Sequence, residues 1–190
     1  PWHFMPNGPR KYERQGFATN SGKVELLPSI FAKLGYDPLP RWDEPAESPV
    51  RDVKLAEEYP LVLVSGARVR HFTHSRHRQL ERLRKARPEP LVMMHPETAA
   101  GLGIAAGDWV YIETPLGRVK QRAELSAEID RRVVSADGYW WFPEQEAYEP
   151  NLSGVWQSNI NAVLSDGLAT NDYAGDQFFR GPLCKVYRAD

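Results

Sequence analysis

Residues 91–125, LVMMHPETAAGLGIAAGDWVYIETPLGRVKQRAEL, carry the pattern that decides the fold. Leu91 to Met94 is a short apolar run of the kind that forms a buried strand. Pro96 stands where a helix can start, because its fixed φ suits the first turn and its missing N–H is not needed there; Gly101 or Gly103 marks the end. Val110 and Ile112 then alternate with Tyr111 and Glu113, Pro115 to Gly117 turns the chain, and Val119, Gln121 and Ala123 continue the alternation. Strand, short helix and hairpin in this order predict a β-rich unit rather than an alternating α/β sheet.

Working outward, residues 61–80 read LVLVSGARVRHFTHSRHRQL. Leu61 to Ser65 is continuous, apolar and β-branched, which predicts a buried strand; Ser75 to Ala86, with Leu80 and Leu83, predicts an amphipathic helix. Arg132 to Ala136 is another strand. The aromatic stretch ADGYWWFPEQEAYEPNLSGVW after it is too long for a simple connection, and loops of that kind are more often functional than idle. NINAVLS and PLCKVYRA supply the closing strands. The fold class is therefore mainly β with short helices, closed into a barrel, and the helices after Ser65 and Met94 in crossover positions require parallel strand pairs.

From Pro1 to about Tyr59 the chain is punctuated by prolines, with a strand candidate at Val24 to Leu27 and a short helix at Ser29 to Leu34 ending on Gly35. Trp2, Phe4, Ile30 and Trp42 are too apolar for a free tail. Residues 1–58 thus read as an arm that packs on something, or else as a solvated linker, and residues 59–190 as the barrel domain. A start at Pro1, inside a loop-like stretch, marks the chain as a piece of a longer protein, with an upstream domain and any targeting signal left behind.

The 190 residues carry a formal net charge of −1, with 42% hydrophobic and 26% charged residues, which gives no reason to expect a nucleic-acid partner. The basic residues are nevertheless concentrated, from Arg68 and Arg70 through Arg76, Arg78, Arg82, Arg84 and Lys85 to Arg87. No stretch approaches the ~20 apolar residues that span a bilayer, so no membrane insertion is expected. One cysteine excludes an internal disulfide and a Cys-only metal or iron–sulfur site. Cys184, in an apolar run without a nearby base, reads as a small buried hydrophobe.

After Gly66, the arginines Arg68 and Arg70 and the polar side chains of His71, Thr73, His74 and Ser75 crowd the end of the first strand with donors. Gly66 would let the backbone turn sharply, and a helix starting at Thr73 or Ser75 would offer free N–H groups to a phosphate or other anion. The competing reading is a plain helix cap with a solvated basic rim. The spacing of His71, His74 and His77 suits a metal only superficially, because interleaved arginines repel a cation. The Trp140, Trp141, Phe142 and Pro143 run reads equally as a ligand wall or as core.

The ordered set LVLVSGARVRHFTHS, MMHPETAAGLGIAAGDWVYIETPLGRVKQRAELS, VVSADGYWWFPE, SNINAVLSDG and GPLCKVYRA resembles the C-terminal dinucleotide-binding domain of the molybdopterin oxidoreductases, the dimethyl sulfoxide reductase family. WWFPE with SNINAVLS leans toward the branch that includes acetylene hydratase. The resemblance implies a double-psi β-barrel, a closed barrel of six strands, that binds bis(molybdopterin guanine dinucleotide) holding Mo or W. On the matching motif positions it implies contacts from Gly66, Arg68, His71, Phe72, Thr73, His74 and Ser75, joined by Trp141, Asn159, Asn161 and Lys185. The residue that coordinates the metal and the cysteines of a 4Fe-4S cluster would lie upstream, so this chain alone is expected to catalyse nothing. The implied partners are the upstream domains of the same polypeptide and an iron–sulfur electron-transfer subunit. The alternative is a free-standing double-psi barrel acting as an interaction module.

Overall fold

A computed structural model of the chain describes residues 9–39, 42, 44–165 and 180–189. It divides into two compact units, 1–43 and 44–190. The first contains helices α1 (Lys11–Gln15) and α2 (Ser29–Lys33). Gly35, at φ 80°, donates its N–H to the Ala32 carbonyl just past α2, as the glycine position predicts. The strand expected at Val24 to Leu27 does not form. Glu25 instead accepts the N–H groups of Ser21 and Ser29, and this local carboxylate bonding turns the backbone. Ile30 and Trp42 are exposed, at 55% and 80%. Trp2 and Phe4 lie outside the described residues.

The second unit opens with α3 (Val53–Glu58), capped by Asp52, and continues as six strands closed into a barrel in the order β1-β5-β2-β4-β3-β6. These are β1 (Leu61–Ala67), β2 (Leu91–Met94), β3 (Trp109–Thr114), β4 (Gly117–Leu125), β5 (Val133–Asp137) and β6 (Arg180–Arg188). β1 with β5 and β2 with β4 are parallel, and the other neighbours are antiparallel. The alternation read from sequence sets the inward face: Leu63, Val92, Met94, Val110, Ile112, Val134 and Cys184 are fully buried in one core. α4 (Glu81–Ala86) and α5 (Pro96–Gly101) fill the crossovers, and His95 caps α5 by accepting the Glu97 N–H on Nδ1. Among the described residues no helix is long and apolar enough to cross a membrane.

Three expectations are corrected near the candidate site. The chain does not turn at Gly66; β1 continues to Ala67 through a register irregularity after Val64. The helix expected from Ser75 begins only at Glu81, because His74 and His77 take left-handed φ of 54° and 73°, which no helix accommodates. NINAVLS is not a strand. Asn159 accepts the Asn161 N–H and starts a 3-10 helix over Ile160–Val163 that closes against the barrel through a bond from Thr114 Oγ1 to the Val163 carbonyl.

Candidate cofactor-binding end of the barrel

Three segments that are distant in sequence are tied together by side chains at the end of β1 and β5. The first is the irregular turn 68–80 and the second the loop after β5, starting at Gly138. Arg78 crosses between them, donating from Nη1 to the His74 carbonyl at 2.6 Å and from Nη2 to the Gly138 carbonyl at 3.4 Å. Trp141 returns the link, donating its indole N–H to the Ser75 carbonyl. The third segment is 158–161. Gln121, fully buried on β4, joins it to the second by donating Nε2 to the Asp137 carbonyl at 3.0 Å and to the Ser158 carbonyl at 3.1 Å.

Beneath the turn lies an aromatic cluster of Phe72, Trp140 and Phe142, with Val69 and Leu83 packed on it. Phe72 meets Trp140 edge-on at 5.8 Å, and Trp140 meets Phe142 at 6.4 Å. Arg84 lies over Trp140 and Phe142 and is paired to Glu144 at 2.8 Å. Arg87 is paired to Asp137 at 2.7 Å, where burial pushes the Asp137 carboxyl above its ordinary range against the pull of the Leu91 N–H and Arg87. Arg78, Arg84 and Arg87 are thus spent on structure.

The turn's own polar groups are disposed differently. Arg68, Arg70, His71, Thr73, His74, Ser75 and Arg76 are exposed, and among the described residues none of these arginines forms an ion pair. His74 stacks on Tyr139 at 4.8 Å, which fixes its ring. Phe72 is buried, so its ring serves the cluster rather than the open face. Asn159 and Asn161 come to the same end of the barrel through Gln121 and Ser158, although the Asn159 carboxamide oxygen is engaged in its own cap.

Lys185 does not join this group. Its ammonium lies 3.0 Å from Glu113 and 3.5 Å from Glu58 and sits over the Tyr59 ring at 4.8 Å. The Glu113 carboxylate raises its pKa, and the Tyr187 hydroxyl, ahead of Lys185, holds Glu113 low. Sequence reading did not single out Gln121 or separate Arg78 from the basic run. A glutamine at an inward position of an alternating strand is the one signal that was present, since a buried amide must be used.

The arrangement suits an anionic or acceptor-rich group better than a bare cation. Exposed imidazoles, hydroxyls and guanidinium groups offer donors, and among the described residues no ion pair places a carboxylate on them. Among the described residues no three His, Cys, Asp or Glu side chains cluster as a metal site. Several buried polar atoms of the supporting layer have no hydrogen-bond partner among the described residues, including Trp140 Nε1, Ser158 Oγ and Gln121 Oε1. Residues 61–176 match the family model described as Molydopterin dinucleotide binding domain. The chain belongs to this family of molybdopterin dinucleotide-binding domains. It is 41% identical over 167 residues to the acetylene hydratase of Syntrophotalea acetylenica, covering 87% of this chain and 22% of that protein. It is 36% identical over 181 residues to the dopamine dehydroxylase of Eggerthella lenta, covering 93% and 17%. The solved structure of acetylene hydratase from Pelobacter acetylenicus superposes with a TM-score of 0.87 at 39% identity, over 98% of this chain and 25% of that one. The barrel is therefore the double-psi β-barrel, and the chain spans about a quarter or less of the relatives it matches.

Proposed function

We propose that this chain is the cofactor-closing domain of a larger molybdopterin enzyme, in which bis(molybdopterin guanine dinucleotide) holds Mo or W and upstream domains supply the metal's protein ligand and a 4Fe-4S cluster. The observation that supports this most is the donor-rich turn 68–77, which pairs with no carboxylate among the described residues and is anchored on both sides to the loop after β5. In this reading Arg68 and Arg70 meet pyrophosphate charge, His71, Thr73, His74 and Ser75 meet pterin heteroatoms, and Gly66 leaves room for close approach. Asn159 and Asn161 present donor and acceptor edges from the second side, and Trp141 braces the turn. When bound, the cofactor supplies the redox or Lewis-acid chemistry; these residues orient it, exclude water and tune it through hydrogen bonds.

The relatives' names include a hydratase and a dehydroxylase, so the barrel is compatible with different reactions, and the substrate is set elsewhere. An iron–sulfur partner subunit follows only if the intact protein exchanges electrons. The test is metal analysis for Mo and W with fluorescence assay of released pterin on the intact gene product, beside its His71→Ala and Asn159→Ala variants. About two pterins per chain are expected from this cofactor, with a several-fold loss in each variant. A gene product with neither metal nor pterin would leave a barrel that acts as a binding module; full retention in both variants would remove His71 and Asn159 from the site.

A further inference from the structure

Arg78 sits inside a run of arginines, yet its surroundings differ from those of Arg68, Arg70 and Arg76. It is only 1% exposed, and its guanidinium carbon lies 4.7 Å from the Phe72 centroid and 4.7 Å from the Trp140 centroid. The two rings meet edge-on with centroids 5.8 Å apart, so the cation sits in the corner they form and touches both. No carboxylate is paired with it among the described residues, and its Nε has no hydrogen-bond partner. Burial lowers its pKa to about 10, which leaves it charged at neutral pH. Holding a cation out of water is costly; the attraction of the nearby Asp137 carboxylate, two rings and two carbonyls offset that cost, the rings and carbonyls doing so best for a planar, delocalised group.

The consequence is geometric. The two carbonyls that Arg78 engages belong to His74, held at a left-handed φ of 54°, and to Gly138, the residue after β5. The bond from Trp141 to the Ser75 carbonyl closes the same span from the other direction. The turn consequently has its shape fixed by contacts from below, which leaves the outward side chains of His71, Thr73 and Ser75 uncommitted.

Resting on the cofactor reading above, we infer that Arg78 is a positioning residue: seated against both Phe72 and Trp140 and bonded to the carbonyls of His74 and Gly138, it presets the turn 71–75 for the pterin without touching it. Lysine cannot replace it, because a compact ammonium on a flexible stem cannot pack against both rings and reach both carbonyls together.

The experiment uses the intact gene product as purified, with Arg78→Ala and Arg78→Lys variants, and reads hydrogen exchange of amides 71–76 together with released pterin per chain. In Arg78→Ala these amides should exchange about tenfold faster or more while β3 and β4 keep their protection, with pterin falling several-fold. Low-millimolar guanidinium should restore both, and the same concentration of ammonium neither, an outcome that a general loss of stability would not produce. Arg78→Lys should lose pterin nearly as severely and serves if the alanine variant does not fold. Wild-type exchange and pterin in both variants overturns the inference, as does faster exchange with pterin fully retained. If the wild type itself carries no pterin, the cofactor reading fails first and the positioning role falls with it.

Discussion

Cys184 lies in β6 opposite Leu61 of β1 and is fully buried, and burial pushes its thiol pKa up to about 12. A thiol in that state is neither nucleophile nor metal ligand at neutral pH, since both roles require the thiolate. The sign of the linkage follows. The folded pKa lies above the ordinary value of 9.0, so the unfolded chain releases the proton first, and stability falls as pH rises from about 9 toward 12. Native protein at pH 8 should therefore resist alkylation by iodoacetamide and label fully, at its one cysteine, only in denaturant. Rapid labelling of the native protein would mean that β6 opens on the timescale of the reaction. The bland reading of Cys184 was available from its apolar neighbours. Gln121 shows the opposite case, because nothing in an alternating strand says which carbonyls an inward amide will reach until the strands that carry them are placed.

At the level of elements, regular alternation was legible and special backbone angles were not. β1 to β5, α5 and β6 follow from periodicity and from Pro96, because burial on one face enforces that pattern. The turn 68–80 was misread as the start of a helix since histidine carries only a weak preference for positive φ, and nothing in the composition marks His74 and His77 as left-handed. Asn159 likewise converted a strand-like run into a 3-10 helix through one side-chain bond. Gly154 offers a test of such local control in the aromatic loop. Its φ is 70°, and a Cβ there would come within 2.4 Å of Gln145 Oε1 and 2.8 Å of Phe142 Cδ2. The glutamine can swing away, whereas Phe142 is held in the cluster with Trp140. Gly154→Ala should cost about 2–3 kcal/mol of unfolding free energy in urea. Gly103→Ala, at φ 65° with nothing within 4 Å of the added carbon, isolates the backbone contribution and should cost only about 1 kcal/mol. Equal costs for the two would show that the loop repacks around the added methyl.

At the scale of the whole molecule the barrel closes its own edges, so residues 59–165 and 180–189 bury their apolar faces among themselves. The unit 1–43 shows no such closure among its described residues: Val24, Leu26, Ile30 and Leu34 are exposed at 61%, 86%, 55% and 64%. Single exposed apolar residues are ordinary, but this many on short helices and turns lack the buried area that would keep their backbone hydrogen bonds closed. In the larger enzyme proposed above, upstream domains of the same polypeptide would supply the missing cover. Hydrogen exchange on this chain alone should then show residues 9–39 exchanging near the rate of an open chain while β1, β3 and β4 remain protected. In the intact gene product the same amides should slow by about tenfold or more, the change that burial of a marginal segment produces. Protection that is equally strong in both settings would mean that the segment folds on its own resources. Equally fast exchange in both would mean that upstream domains do not cover it, and the arm would then be a solvated tether rather than a docking element.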